Sequence, residues 1–221
     1  MAIIYNIHPK NPQFRSIQPI KDALSKGAVM LYPTDTVYAI GCDIRVKSAV
    51  ERVRQIKRLS NDKPLTFLCP SLSNIAAYAK VSDPAYRMIK HLIPGPYTFL
   101  LPTTKLVPKL VMDPKRKTTG IRVPNHTVCL ELLNALDNPI ISTSAHLPDR
   151  DDSDYLGKAE LFDILDKLVD IIIDTEEDLG YQVSTIIDLT GDEAIALRKG
   201  SGWDEVEHWL EEPEFELSYS N

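Results

Sequence analysis

Strand-length apolar runs alternate with helix-length amphipathic segments along most of this chain, and that alternation constrains the fold more than any other feature. Apolar runs bounded by glycine, proline or polar residues occupy residues 28–32, 65–69, 97–101 and 140–143. Helix-length segments between them carry apolar residues three or four positions apart, as at 46–57. Interleaved strands and helices predict an α/β domain with a sheet of mixed direction covered by helices.

The same patterns predict the individual elements. Gly27 is predicted to end the first helix, and Ser71 and Asp83 are predicted helix N-caps. The predicted strands cover residues 3–7, 28–32, 65–69, 97–101, 120–123, 140–143, 171–174, 185–189 and 194–197. The predicted helices cover residues 16–26, 46–57, 71–78, 84–92, 128–136 and 158–168.

Length and composition predict one domain. The chain has 221 residues, 43% of them hydrophobic, which suits one core and is too short for two ordinary domains with a linker. We predict a single domain over residues 1–210 and an acidic tail over 211–221. The start lacks a signal peptide, and no apolar run reaches the roughly 18–20 residues of a membrane helix, so we expect a cytoplasmic protein without membrane contact.

The cysteines and the charged residues argue against some kinds of site and some kinds of ligand. The three cysteines form no Cys-x-x-Cys pair, so we expect reduced thiols rather than a disulfide framework or a zinc site. The net charge of −6 opposes broad binding to nucleic acids. The charge is nevertheless segregated: basic residues cluster at 52–63 and 115–122, and acidic residues at 149–154, 174–178 and in the tail.

Polar segments follow two of the predicted buried strands directly. Residues 33–38 follow the strand at 28–32, and residues 142–146 follow Ile140 and Ile141. In open α/β sheets, ligands bind beyond strand ends, where hydroxyls and free N–H groups are available. Serine and threonine also cap turns and helices, and from spacing alone that structural role is the commoner one.

Seven segments in order carry a resemblance to a known family. They are YPTDTVYAIGCD (32–43), QIKRLSNDKPLTFL (55–68), PGPYTFLLPTT (94–104), TTGIRVPNH (118–126), PIISTSAHLP (139–148), STIIDL (184–189) and LRKGSG (197–202). Over residues 15–202 this series resembles the YrdC family of threonylcarbamoyl-adenylate synthases, and within it the YciO branch.

The resemblance implies a fold and an activity. It implies a single YrdC-like domain, a twisted mixed open sheet flanked by helices, with a large concave, positively charged cleft. The implied reaction joins L-threonine, bicarbonate and ATP into threonylcarbamoyl-adenylate and pyrophosphate, towards modification of adenosine 37 in tRNA. Mg²⁺ would accompany ATP, and no protein-bound metal is expected. The alternatives are an RNA- or tRNA-binding protein and a non-catalytic nucleotide-binding paralogue.

The resemblance also assigns residues. For threonine binding it implies Thr36, Arg122, Ser142 and Ser184. For ATP binding it implies Lys57, Arg58, Lys63, Thr118, Ser144 and Arg198. No covalent catalytic residue is expected.

Structural roles are the alternative for some of these residues. Arg122 lies between Ile121 and Val123 on a predicted strand, so its side chain points away from theirs and can reach a cleft; its alternative is a surface ion pair. Lys57 and Arg58 could instead be the solvated end of a helix. We expect His126 to make a local hydrogen bond.

Four positions depart from the synthase pattern. Leu59 stands at an arginine position, Lys63 at an asparagine, Leu68 at a histidine and His146 at an asparagine. Each lost charge-assisted contact costs about 1.5–3 kcal/mol. The departures therefore predict weakened synthase activity with nucleotide binding retained.

Overall fold

A computed structural model describes residues 1–60, 63–146, 156–177 and 179–211, and within them the chain forms one ten-stranded mixed sheet and seven helices. The strands are β1 (Ile3–Asn6), β2 (Met30–Tyr32), β3 (Ala39–Asp43), β4 (Thr66–Leu68), β5 (Tyr97–Pro102), β6 (Thr118–Arg122), β7 (Ile140–Ser144), β8 (Ile171–Asp174), β9 (Thr185–Asp188) and β10 (Ile195–Arg198). The helices are α1 (Phe14–Ser25), α2 (Lys47–Ile56), α3 (Leu72–Tyr78), α4 (Asp83–Leu92), α5 (Thr127–Leu136), α6 (Lys158–Leu165) and α7 (Trp203–Glu211).

The sheet runs in the order β1-β8-β2-β3-β7-β4-β6-β5-β9-β10. Parallel pairs join β1 to β8, β8 to β2, β4 to β6 and β5 to β9, and the remaining neighbours are antiparallel. Neighbours in the sheet are often distant in sequence, so loops from well-separated segments meet along its edges. The predicted mixed α/β sheet is confirmed.

One face of the sheet is apolar from β8 to β9, that is, in all strands except the two at the edges. Side chains from alternate strand positions, among them Leu31, Phe67, Phe99, Ile141 and Ile187, pack with apolar residues of α2, α3, α4, α6 and α7. These strand residues are fully buried. This layer forms the larger part of the core, and burial of apolar surface there is the main stabilising contribution.

The opposite face is apolar over only part of its width. There α1 and α5 pack on Met30, Tyr32, Leu68, Ile140 and Ile173. Beyond that area, the same face of β4, β5, β6 and β7 carries serine, threonine, glycine and arginine. The change from apolar to polar residues along this face locates the candidate site.

Most predicted elements are confirmed to within a few residues, and two elements were not predicted. Strand β3 is buried at all five positions and contains a glycine, so it lacks the apolar–polar alternation of a half-buried strand. Helix α7 has polar residues over much of its surface, and its apolar contacts with α4 and the core appear only after folding.

Two predicted helix boundaries are confirmed and one is wrong. Ser71 caps α3 by accepting a hydrogen bond from the Asn74 N–H, and Gly27 follows the end of α1 with φ +99°, a conformation that suits glycine. The N-cap of α4 is Ser82, whose hydroxyl accepts from the Ala85 N–H, rather than Asp83, because Asp83 already lies in the first turn.

The predicted acidic tail lies almost wholly outside the described residues. The described chain ends in α7 at Glu211, and residues 212–221 follow it. The acidic segment 149–154 also falls outside the described residues. Among the described helices, none has the length and apolar content needed to cross a membrane.

Candidate functional site

An open cleft of about 310 Å³ lies on the part of the sheet face that α1 and α5 leave uncovered. Strand residues from β3, β4, β5, β6, β7, β9 and β10 line it, together with the loop between β2 and β3, the segment before β4 and the segment before β9. The lining residues are Thr34, Thr36, Val37, Ala39, Leu59, Lys63, Pro64, Leu65, Thr66, Leu68, Thr98, Arg122, Ser142, Thr143, Ser144, Val183, Ser184, Ile186 and Arg198.

Strand alternation explains why the floor is polar. On β7, Ile140, Ser142 and Ser144 point to the same side, since side chains two apart share a face. Ile140 lies in the apolar cluster under α5, whereas Ser142 and Ser144 line the cleft. Gly120 on β6 allows the lining residues Thr66 and Thr98 to approach that strand closely, because a Cβ there would lie 2.6 Å from Thr66 Oγ1.

Arg122 is a buried member of the cleft wall, with 6% of its surface exposed. Its guanidinium donates to Asp35 Oδ1 at 2.6 Å, to Thr36 Oγ1 at 3.0 Å and to the Gly95 carbonyl at 3.3 Å. The predicted cleft position is confirmed, and the alternative of a surface ion pair is wrong. Asp35 balances the charge of Arg122, so this end of the cleft is close to neutral.

The turn after β2 is held by threonine hydroxyls. Thr34 Oγ1 lies 3.0 Å from Thr36 Oγ1, donates to the Val37 carbonyl at 2.7 Å and accepts from the Thr36 N–H at 3.2 Å. Together with the Arg122 bond, these contacts fix the Thr36 hydroxyl at the cleft wall. The turn therefore combines the structural role expected of such residues with a position in the site.

The opposite wall is built around Ser184. Its hydroxyl lies 2.9 Å from Thr98 Oγ1 and accepts from Arg198 Nη2 at 3.1 Å, while Arg198 Nε donates to the Ser184 carbonyl at 2.9 Å. Arg198 and Ser184 both line the cleft, as predicted. Lys63, which is exposed, lines the cleft from the loop before β4.

Seven of the ten predicted site residues thus meet in one cleft. The remaining three, Lys57, Arg58 and Thr118, are not among its lining residues. Lys57 Nζ donates to the Ser144 carbonyl at 2.8 Å and to the His146 carbonyl. Arg58 is exposed with φ 48°, and Thr118 is buried on β6 on the same side of the strand as Gly120 and Arg122. Their roles in ATP binding stay predictions.

The charges of the cleft differ in sign from the charge of the chain. Lys63, Arg122 and Arg198 line it, and among the residues that the structure describes no carboxylate, imidazole or thiol is part of the lining, although the chain carries a net charge of −6. Such a surface favours anionic groups. The described lining provides hydroxyls and cations, which are groups that bind and orient a ligand.

The three cysteines are buried and free. Burial raises the pKa of the Cys69 thiol to about 12 and raises the pKa values of Cys42 and Cys129 further. Cys129 Sγ donates to the Pro33 carbonyl at 3.2 Å, next to the threonine turn. Thiols held protonated in this way are weak nucleophiles, in agreement with their expected structural role.

Asp35 and His126 are residues of the site region that sequence reasoning did not assign to it. Asp35 lies between Thr34 and Thr36 in the Pro-Thr-Asp-Thr segment. A buried arginine at the site needs an acidic partner, and that need could have identified Asp35 as the partner of Arg122. His126, at the N-cap of α5, has no hydrogen-bond partner for either ring nitrogen among the described residues, so the expected local bond is not confirmed. Burial lowers the pKa of His126, and nearby Asp35 opposes that shift.

The departures from the synthase pattern fall at the cleft. Leu59, Lys63 and Leu68 line it, and Leu68 also packs in the apolar cluster under α1 and α5. His146 is not a lining residue, but its carbonyl accepts from Lys57.

Comparisons with known proteins identify relatives. The family model Sua5_yciO_yrdC, described as "Telomere recombination", matches residues 22–200. The uncharacterised Escherichia coli protein YciO is 42% identical over 202 residues, which cover 91% of this chain and 97% of YciO. The crystal structure of E. coli YciO is similar with a TM-score of 0.85 at 41% identity, with the same coverage.

More distant relatives have a named activity. A threonylcarbamoyl-AMP synthase from Pyrococcus abyssi is 28% identical over 209 residues, which cover 90% of this chain and 58% of that protein. A crystal structure of P. abyssi Sua5 complexed with L-threonine has a TM-score of 0.83 at 26% identity, covering 96% of this chain and 62% of that one.

Proposed function

The chain belongs to the Sua5/YciO/YrdC family, and on that premise we propose that it binds Mg·ATP beside an amino acid in its cleft and forms a carbamoyl-adenylate of that amino acid. The specific reaction proposed is that of the distant relatives named threonylcarbamoyl-AMP synthase: L-threonine, bicarbonate and ATP give threonylcarbamoyl-adenylate and pyrophosphate. In a cell this product would serve tRNA modification.

The observation that supports this proposal most directly is the composition of the cleft. Cations and hydroxyls from distant segments converge there, and the lining residues within the described part of the chain include no carboxylate. ATP, bicarbonate and the threonine carboxylate are all anions, so a lining of this kind suits all three.

The two ends of the cleft suggest two subsites. At one end, the Arg122–Asp35 pair and Thr36 offer both signs of charge and a hydroxyl, which suits a zwitterionic amino acid. At the other, Arg198 and Lys63 contribute positive charge and N–H donors and Ser144 lies beside them, a combination that suits phosphates.

The proposed chemistry needs no covalent enzyme intermediate. The threonine amine adds to bicarbonate to give a carbamate with loss of water. A carbamate oxygen then attacks the α-phosphorus in line, the new P–O bond forms, and the bond to the β-phosphate oxygen breaks to release pyrophosphate. The contribution of the protein is to align these groups and stabilise charge. Mg²⁺ would enter with ATP as part of the substrate, and its role would be to neutralise phosphate charge; among the described lining residues, Lys63 and Arg198 would share that role.

Exchange of labelled pyrophosphate into ATP tests the proposal. We expect exchange that requires both L-threonine and bicarbonate, at a low rate because Leu59 cannot donate to phosphate. Arg198→Met should lower the exchange rate at least about ten-fold. Lys199→Met, which alters a neighbouring cation that lies over the Trp203 ring and near Glu207, is the matched control and should leave the rate unchanged. Binding of Mg·ATP without exchange for any amino acid would instead indicate a non-catalytic nucleotide-binding protein.

A basic loop beside the cleft favours RNA binding as a second candidate function. Residues 103–117 between β5 and β6 carry five basic side chains and one acidic one, and all five basic residues are exposed. The loop adjoins the cleft, since the Leu65 N–H donates to the Val111 carbonyl at 2.9 Å. An exposed positive surface of this kind favours the phosphates of a tRNA.

Filter binding of tRNA at several salt concentrations tests the second candidate. We expect affinity to fall steeply with salt, and to fall further when Lys115 and Lys117 are replaced by alanine. The replacement Lys26→Ala and Lys47→Ala, which removes two charges from other parts of the molecule, is the control. Undetectable binding at low salt would exclude this function.

A further inference from the structure

Two cations at the C-terminal end of α2 donate hydrogen bonds to backbone carbonyl groups: Arg54 in the last turn and Lys57 directly after the helix. Arg54 is buried, with 5% of its surface exposed, and donates to the carbonyls of Lys63 at 2.9 Å, Leu110 at 3.1 Å and Ser60. Lys57, three residues later, donates to the carbonyls of Ser144 and His146. Three separate chain segments are therefore tied to the end of one helix.

These segments form the phosphate end of the cleft. The segment 58–63 carries Leu59 and Lys63, both lining residues, and Leu110 belongs to the basic loop. Ser144 is the last residue of β7, where that strand leaves the sheet. Ser144 lines the cleft, and its carbonyl accepts a hydrogen bond from Lys57.

We propose that Arg54 and Lys57 are positioning residues, which set the phosphate end of the cleft without touching the ligand: Arg54 places the segment that carries Lys63, and Lys57 places the Ser144 hydroxyl. Lys57 is not a lining residue, and two of its three ammonium hydrogens are donated to the carbonyls of Ser144 and His146. This inference assigns Lys57 a role different from the direct ATP contact that the family resemblance implies.

Ser144 lies at the end of a strand pair, where additional contacts are needed to hold the backbone in place. The strand pair β3–β7 ends at Ala39 and Ser144, and one further backbone bond, from the Ala145 N–H to the Tyr38 carbonyl at 2.8 Å, extends it. Strand ends open readily, because few contacts hold them. The charge-assisted bonds from Lys57 are stronger than neutral ones and hold this end closed.

Amide hydrogen exchange of the ligand-free protein tests the positioning role. In Lys57→Met, we expect the Ala145 amide to exchange about 10- to 100-fold faster, from the loss of charge-assisted bonds, while the Ile141 amide within β7 stays protected. Lys57→Arg should restore most of the protection. Lys47→Met, at an exposed lysine on the same helix, is the matched control. Unchanged exchange of Ala145 in Lys57→Met would overturn the proposal.

Binding of Mg·ATP, measured by calorimetry, distinguishes positioning from direct contact; this second test rests on the proposed function. We expect Lys57→Met and Ser144→Ala each to weaken binding about ten-fold, and the double variant to bind no more weakly than Lys57→Met alone. Additive losses would show that Lys57 contacts the ligand itself and would overturn the inference. If the unmodified protein does not bind Mg·ATP, the proposed function fails, and the exchange experiment still decides the role of Lys57.

Discussion

The two parts of one sheet face, one covered by α1 and α5 and the other open, differ in how they are stabilised. In the covered part, apolar side chains such as Met30, Ile140 and Ile173 are buried against the helices. In the open part, Arg122 and Ser184 are also nearly buried, but each makes hydrogen bonds to several partners. A folded chain can therefore leave part of a sheet face without a helix if its polar groups satisfy one another there.

Strand β7 passes through both parts and shows that the difference is local. Ile140 and Ser144 lie on the same side of the same strand, four residues apart, and only one of them is under α5. The boundary between the parts is Leu68, which belongs to the apolar cluster and also lines the cleft. The covered part supplies stability, and the open part keeps a surface for a ligand.

The largest expected effect is on the polar network of the open part. Arg122→Met should lower the free energy of unfolding by about 3–5 kcal/mol, because the Asp35 carboxylate stays buried without its partner. Urea denaturation measures this loss. The double variant Arg122→Met/Asp35→Asn should recover a large part of it, since no buried charge remains unpaired. A single variant as stable as the parent would show that this pair is not needed for the open part to fold.

A core truncation in the covered part should have a slightly smaller effect on stability and none on binding. Leu132→Ala, at a fully buried position of α5, should cost about 2–4 kcal/mol by urea denaturation and leave the Kd for Mg·ATP unchanged. Ser142→Ala, on the floor of the cleft, should do the reverse: little change in stability and weaker ligand binding. Equal effects of both variants on the Kd would contradict the assignment of ligand binding to the open part alone.

Adding a cation should strengthen the open part as an anion site. Leu59→Arg places a guanidinium at the half-buried cleft wall, so the affinity for Mg·ATP should rise about ten-fold, or about 1.4 kcal/mol. Calorimetric titration checks this, with Tyr86→Arg, at an exposed position of α4, as a control for added charge. A rise for both variants would mean that net charge, not position, sets the affinity.

The smallest expected effect is a pH dependence from His126, which lies behind the open part near Asp35. Burial lowers the pKa of His126 in the folded state, so below pH of about 6.5 the unfolded chain binds the proton more readily than the folded one. Stability should therefore fall as pH decreases below that value. Urea midpoints between pH 7.5 and 5.5 should show a shallower decline for His126→Asn than for the parent. An identical decline would assign it to other groups.

Local patterns predicted most of the fold and much of the site. Apolar runs with clear boundaries located strands such as β7, and the position of Arg122 between two buried residues correctly predicted its side of β6. β3 was missed because burial on both faces removes the alternation that marks a strand. The family resemblance of seven segments assigned Thr36, Ser184 and Arg198 to one site. They are far apart in sequence, so no local pattern could have shown that they line the same cleft.

The sequence by itself determined the order of the elements, the face to which each strand residue points, and the family, because periodicity and motif order are properties of the chain alone. Only the tertiary structure decided which partners the charged groups find. Arg122 meets Asp35, 87 positions away, and Lys57 meets the Ser144 carbonyl, also 87 positions away, since the sheet places distant strands side by side. A cation that looks available in sequence can be bonded to the protein itself in the fold, because backbone carbonyl groups attract it as a phosphate would.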